Sequence, residues 1–378
     1  MAGIYIHIPF CKQRCTYCDF YKEIVSAEQQ TEEFVHALVK EMHLRKTYLN
    51  GEKITTIYFG GGTPSVLNFN QFKKIFENIY HIFSVDKNAE ITMEANPDDL
   101  TVEYLSSLSP LPFNRLSIGI QSFNNHHLKF INRRHDARQA KEAVMNARKY
   151  GFNNISIDLI YGLPGQTLND WKKQLEEAFT LHVEHISAYG LTYEEGTVLW
   201  QQRNNGLIRV TDDEVTLEMF DFMRLKMKEN RFEAYEISNY AQPGFRSRHN
   251  SAYWQFIPYF GLGPSAHSFD GKSRQWNATS VKDYLKNIAE NKVFFEKEIV
   301  TEQNFYNELI MVSLRTSEGI DLKMLKKKIG KEMYDYCLLN AENQIKSKNL
   351  VYNNDRLYFS NSGIHLANLV IMELMKTD

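Results

Sequence analysis

Short β-rich apolar runs alternate with longer helix-like stretches through the first half of the chain, and this alternation restricts the possible folds more than any other feature. The runs fall at 4–8, 54–59, 91–95, 115–120, 154–158 and 185–189, with helices expected at 28–49, 72–83, 101–108, 137–150 and 167–181. Strand–helix–strand repeats imply a parallel sheet with right-handed crossovers. Six units are too few for a closed eight-stranded barrel. An open, partial (β/α)6 barrel is therefore expected, with its functional residues at the C-terminal ends of the strands.

Each expected strand end is chemically unusual. The first runs into Cys11, Cys15 and Cys18, three of the chain's four cysteines. Three thiols this close form poor disulfides, and Lys12, Gln13 and Arg14 between them are too polar for a packed core strand. As ligands they suit an iron–sulfur cluster or a zinc ion, and zinc would need a fourth donor. A [4Fe-4S] cluster held by three cysteines keeps one iron corner open for a small molecule. The second strand ends in Gly60-Gly61-Gly62-Thr63-Pro64, a backbone that a ligand can approach, without the lysine and hydroxyl of a phosphate loop. Glu94-Ala95-Asn96-Pro97 follows the third, Gln121 and then Arg133 follow the fourth, and the fifth carries Asp158. Any one of these could be a helix cap or a solvated turn residue. Five in succession strain that reading.

A helix is expected over 212–230, followed by Arg248-His249-Asn250-Ser251-Ala252-Tyr253-Trp254 with Phe256, Tyr259 and Phe260 close behind. An imidazole beside large flat rings suits a porphyrin, and it equally suits a satisfied core histidine. Residues 261–267 read as a turn closing the pocket, with His267 a weaker ligand candidate. From 301 the character changes: helices at 302–314, 322–329 and 333–347, a hairpin over 350–359 and a last helix over 362–375 resemble a winged helix. The basic run around Lys326 is short, so a structural or docking role is expected there rather than DNA binding. Cys337 reads as core. The expected division is 1–200 for the barrel, 201–300 for its extension and 301–378 for a small α+β domain. A formal net charge of −2 gives no reason to expect nucleic acid. No apolar run approaches the ~18 residues of a membrane span and no signal-peptide pattern opens the chain, so a cytoplasmic protein is expected, with any membrane association peripheral.

The C-x3-C-x2-C spacing and the flanks Tyr5-Ile6-His7-Ile8-Pro9-Phe10-Cys11 and Cys18-Asp19-Phe20 resemble the radical S-adenosylmethionine (SAM) family, in the branch of oxygen-independent coproporphyrinogen oxidases and HemW heme chaperones. The resemblance implies a [4Fe-4S] cluster on Cys11, Cys15 and Cys18. It implies SAM chelating the open iron, with contacts at Tyr5, Tyr17, Gly61, Gly62, Thr63, Glu94, Gln121, Arg133 and Asp158. Arg133 is preferred to Arg134 by its spacing from Gln121. Reductive cleavage of SAM to a 5'-deoxyadenosyl radical is the family's chemistry. His249-Asn250-x-x-Tyr253-Trp254 matches the H-N-x-x-Y-W motif of the HemW branch and implies His249 as a heme contact. The function implied is a chaperone delivering heme to hemoproteins such as respiratory enzymes, through peripheral contact where these are membrane-bound, and a homodimer is compatible. The alternative is a coproporphyrinogen III dehydrogenase that oxidatively decarboxylates two propionates. Two departures weigh against that activity. Phe20 stands where the oxidases place a further cysteine, and the stretch before the cluster is short where they carry an extension.

Overall fold

The computed structural model describes residues 1–377. Its first half is the expected βα series. Strand β1 (Ala2–Ile8) leads into the cysteine loop, pinned by the short parallel pair β2 (Phe10–Cys11) and β3 (Glu23–Ile24), and helix α1 (Glu28–Leu44) follows. Next come β4 (Ile54–Gly61), α2 (Phe69–Ile82), β5 (Val85–Ala95), α3 (Val102–Leu108) and β6 (Arg115–Gln121). Then follow α4 (Asn125–Phe130), α5 (Ala137–Lys149), β7 (Ile155–Tyr161), α6 (Leu168–Thr180) and β8 (His185–Gly190). The crossover helices begin where side chains replace the missing backbone partners of a first turn. Asn68 accepts from the Gln71 amide, Asp136 from Gln139 and Thr167 from Asp170, and each third residue bonds back to its cap.

The six strands pair in parallel in the order β1-β4-β5-β6-β7-β8 and form a partial (β/α)6 barrel. The sheet does not stop there. After α7 (Val198–Asn204) and α8 (Asp213–Glu229), strands β9 (Glu233–Ala234) and β10 (Asn239–Ala241) add antiparallel to the β8 edge. Helix α9 (Arg248–Trp254) then leads into β11 (Tyr259–Leu262), which pairs in parallel with β1. Strands β12 (His267–Phe269) and β13 (Ser273–Asn277), helix α10 (Val281–Ala289) and strand β14 (Phe295–Ile299) complete a twelve-stranded sheet. Residues 261–267, expected to be a turn, thus include the end of a strand. Gly261 is required there because a Cβ would lie 1.9 Å from the His267 carbonyl oxygen across the β11–β12 pair.

The last part has its own apolar core around Tyr306, Leu309, Leu325, Cys337 and Leu357. Helix α11 (Glu302–Leu314), strand β15 (Ile320–Asp321), helices α12 (Leu322–Ile329) and α13 (Lys331–Lys346), the hairpin β16 (Leu350–Asn353) and β17 (Arg356–Phe359), and helix α14 (Ala367–Leu374) give a winged-helix-like α+β unit. The hairpin turns on Asn354 and Asp355, both left-handed at φ 50° and 58°, as a tight two-residue connection demands. Among the described residues no helix is long and apolar enough to cross a membrane.

Candidate cofactor site

The cysteine loop lies at the C-terminal end of β1. All three thiols are free; Cys11 is buried, while Cys15 and Cys18 are half-buried. Cys11 Sγ is 3.2 Å from Thr63 Oγ1. Burial raises the Cys11 thiol pKa, and that hydrogen bond works the other way. Arg133 reaches in from the far side of the barrel mouth: its Nη1 lies 3.4 Å from Cys15 Sγ, and its Nη2 donates to Asn96 Oδ1 and the Gly119 carbonyl, both at 2.6 Å. Its Nε has no partner among the described residues. Arg134 instead pairs with Asp98 and Asp99. Gly62 closes the loop from below, its amide donating to the Ile8 carbonyl at 2.8 Å. A Cβ at Gly62 would sit 2.7 Å from the carbonyls of Ile8 and Phe10, so it is this packing that demands a glycine.

Three unbridged thiols, one of them against the Arg133 guanidinium, are a donor set suited to an anionic iron–sulfur cluster. Among the described residues no three His, Cys, Asp or Glu side chains are grouped as ligands of a single metal ion.

Behind the loop, the barrel interior is polar. Residues at alternate positions point inward: Tyr5 and His7 on β1, Tyr58 on β4, Glu94 on β5, Arg115 and Ser117 on β6, Asp158 on β7 and Ser187 on β8. The strand registers align Tyr5 with Tyr58, Glu94 with Ser117, and Asp158 with Ser187. Tyr58 donates to Glu94 Oε1 at 2.7 Å. Burial pushes the Glu94 carboxyl up to about 7, with the Tyr58 hydrogen bond opposing and the Asp158 charge adding. Burial likewise carries Asp158 up to about 6. Gln121 ends β6 in the left-handed region at φ 66°, an uncommon state for a residue with a side chain. Tyr17, half-buried near Cys15, Cys18 and Asp158, completes the mouth.

On the β11 side an aromatic cavity of about 790 Å3 opens next to the cysteine loop. Asp19, Phe20 and Tyr21 bring the loop to its wall; Tyr253, Phe256, Tyr259 and Trp276 supply flat faces; Met311 and Val312 of α11 bound it from the C-terminal unit. His249 lines no part of it. Its Nδ1 pairs with Thr56 Oγ1 at 2.8 Å and its Nε2 with the Tyr253 hydroxyl at 2.9 Å, and the residue is 2% exposed. The ring stacks on Tyr58 with centroids 5.0 Å apart. Glu90 of β5 places this segment by accepting the amides of Arg248 and His249 at 3.0 Å, which satisfies the first turn of α9.

Residues 5–178 match the Radical SAM superfamily and residues 300–366 the HemN C-terminal domain. The chain is 35% identical over 374 residues to the heme chaperone HemW of Bacillus subtilis, covering 98% of both chains. It is 33% identical to the HemW of Lactococcus lactis, over 99% of this chain and 97% of that one. The chain belongs to the HemW family of radical SAM proteins. Its fold is also that of the radical SAM enzyme HemN, coproporphyrinogen III oxidase from Escherichia coli, with a TM-score of 0.85 over 99% of this chain and 90% of that one; at 22% identity the likeness concerns the fold alone.

In this HemW-family chain the structure gathers Tyr5, Tyr17, Gly61, Gly62, Thr63, Glu94, Gln121, Arg133 and Asp158 around the barrel mouth and lumen, and it sets His249 behind Tyr253. Sequence patterning does not single out Tyr58 and Arg115. Arg115 is 1% exposed, its Nε has no partner among the described residues, and its buried charge acts on both lumen carboxylates against the effect of burial. Its signal was the alternation Arg115-x-Ser117-x-Gly119-x-Gln121 against Leu116, Ile118 and Ile120.

The lumen carboxylates make the ligand-free chain pH-sensitive. Glu94 holds its proton in the fold up to about pH 7, whereas unfolded it would release it near 4.5. The folded state therefore binds more protons between these values, and stability falls as pH rises through that window, by on the order of 3 kcal/mol. In urea, Glu94→Gln should gain on the wild-type chain as pH rises from 5 to 8. A pH-independent gap between the two midpoints would show that Glu94 is not held protonated.

Proposed function

We propose that the chain is a heme chaperone that binds heme, a [4Fe-4S] cluster and SAM, and hands heme to hemoproteins such as respiratory enzymes. The observation that carries this reading is the aromatic cavity beside the cysteine loop, in a chain collinear with HemW of Bacillus subtilis over 98% of its length. At about 790 Å3 the cavity is of ordinary ligand size, and its flat rings offer stacking faces to a macrocycle.

Cys11, Cys15 and Cys18 would hold the cluster, and Arg133 would offset its negative charge. When bound, such a cluster supplies one iron that the protein leaves open. SAM would lie across the barrel mouth, against Tyr5, Tyr17, Gly61, Gly62, Thr63, Gln121 and Arg133. Glu94 and Asp158 lie deeper, and their raised pKa values mark carboxylates lacking a full counter-charge. A sulfonium or a ribose hydroxyl would supply what they lack, and a bound cation would draw the Glu94 proton off. His249 would act on the cavity through Tyr253, whose hydroxyl it holds.

The test is anaerobic and uses the cluster-reconstituted chain. It should take up one heme per chain, and with coproporphyrinogen III, SAM and a reductant it should form no protoporphyrinogen. Turnover to protoporphyrinogen would replace the chaperone reading with the dehydrogenase.

A further inference from the structure

The ring nitrogens of the histidines near the aromatic cavity are differently engaged. His7 has both committed, Nδ1 with the Tyr5 hydroxyl at 3.1 Å and Nε2 with the Tyr21 carbonyl at 3.2 Å. His249 has both committed as well, and it is walled off behind Tyr253. His267, at the start of β12, lines the cavity, is exposed, and has neither ring nitrogen in a hydrogen bond or ion pair among the described residues.

Iron in a porphyrin takes the lone pair of a neutral imidazole nitrogen. At His7 or His249 that lone pair becomes available only by giving up a hydrogen bond in a buried site, which leaves a polar group unpaired. At His267 nothing has to be broken. Partial desolvation of the ring against the cavity wall and the nearby Arg274 charge lower its pKa, so the ring is neutral at physiological pH. Its backbone is fixed. Ser265 before it is left-handed at φ 63°, Ser268 Oγ accepts the Gly261 amide at 2.9 Å, and Gly261 allows β11 and β12 to approach closely. The ring itself stacks on Trp276, with centroids 6.0 Å apart and planes at 26°. Tyr253 and Tyr259 meet edge to face at 4.6 Å on the same cavity's wall. An unengaged imidazole on a fixed backbone, stacked among flat rings, is the arrangement a heme ligand needs.

We propose that His267 supplies the axial nitrogen to heme iron bound in this cavity, an inference that rests on the heme-binding reading above. His249 then serves as a positioning residue, holding the Tyr253 ring in the wall.

The experiment titrates ferric heme into the full-length, cluster-reconstituted chain under anaerobic conditions, with the heme absorption difference spectrum and electron paramagnetic resonance as readouts. His267→Ala should lose the nitrogen-ligated signature and bind heme at least tenfold more weakly, and added imidazole should restore the signature. His249→Gln, which keeps a polar group in the buried position, should retain the wild-type signature. If heme binds His267→Ala with an unchanged spectrum, or if only His249→Gln loses the signature, the ligand lies elsewhere and this inference falls while the chaperone reading stands. If the wild-type chain binds no heme at all, both fall together.

Discussion

Cys15→Ala is expected to abolish cluster assembly while the chain stays folded. Cys15 is half-buried at the barrel mouth, and its only close polar partner among the described residues is the Arg133 guanidinium. Its side chain is absent from the apolar core that closes under the loop, where Phe10 and Ile8 sit. Removing it therefore costs little packing energy and one thiolate of three. A cluster then has two protein ligands and two exposed irons, and Arg133 loses the negative charge opposite it. Iron and acid-labile sulfide per chain after anaerobic reconstitution should fall at least tenfold, with an unchanged far-ultraviolet circular dichroism spectrum. Cys337→Ala provides the control, because that thiol lies in the separate C-terminal core and should leave the cluster content at the wild-type level. Full cluster content in Cys15→Ala would refute the three-cysteine assignment.

Glu41→Ala should have the largest effect on stability, on the order of 3–5 kcal/mol, the range for removing one partner of a buried ion pair. Glu41 is fully buried on α1, and both carboxylate oxygens are used twice. Oε1 accepts from Arg45 Nη1 and from Asn277 Nδ2, each at 2.7 Å; Oε2 accepts from the Gly263 amide at 2.9 Å and the Tyr284 hydroxyl at 2.7 Å. Arg45 extends the network to the Gly261 carbonyl and Gln275 Oε1, and lies over the Phe260 ring. The pair thus fastens α1 to β11, β13 and α10. Alanine would leave a guanidinium in the core without its counter-charge. Equilibrium urea unfolding gives the magnitude, and hydrogen exchange should show protection lost first in β11–β13. A loss under 1 kcal/mol would mean that water enters and solvates Arg45.

The barrel was legible because its code is local and repeated. Each crossover helix starts at a capping residue such as Asn68, Asp136 or Thr167, and each barrel strand has apolar residues against those helices. The place of the cysteine loop was legible because the thiols follow directly on the apolar run that forms β1. The extension of the sheet was not. β11 is four residues long, and what makes it a strand is its partner β1, more than 250 residues earlier in the chain. Residues 261–267 looked like a turn from their glycines, although Gly261 is there for the close approach of β12. The imidazoles show a related limit. Sequence marked both His249 and His267, and only the fold reveals that Thr56 and Tyr253 already occupy the nitrogens of the first. Motif spacing cannot report whether a lone pair is free.

The place of β11 also bears on the chain's birth. Strand β1 is central in the finished sheet, with β4 on one side and β11 on the other. At a synthesis rate of ~5–20 residues per second, the roughly 200 residues between the ends of β4 and β11 take roughly 10–40 s to emerge. Through that interval the strand that presents the cysteines has one bare edge, with unpaired amides and carbonyls open to the edges of other chains. In a chain that holds the proposed cluster, cluster loading and aggregation would compete in time. A cell that supplies iron and sulfide only to the finished fold must shield a half-built one first.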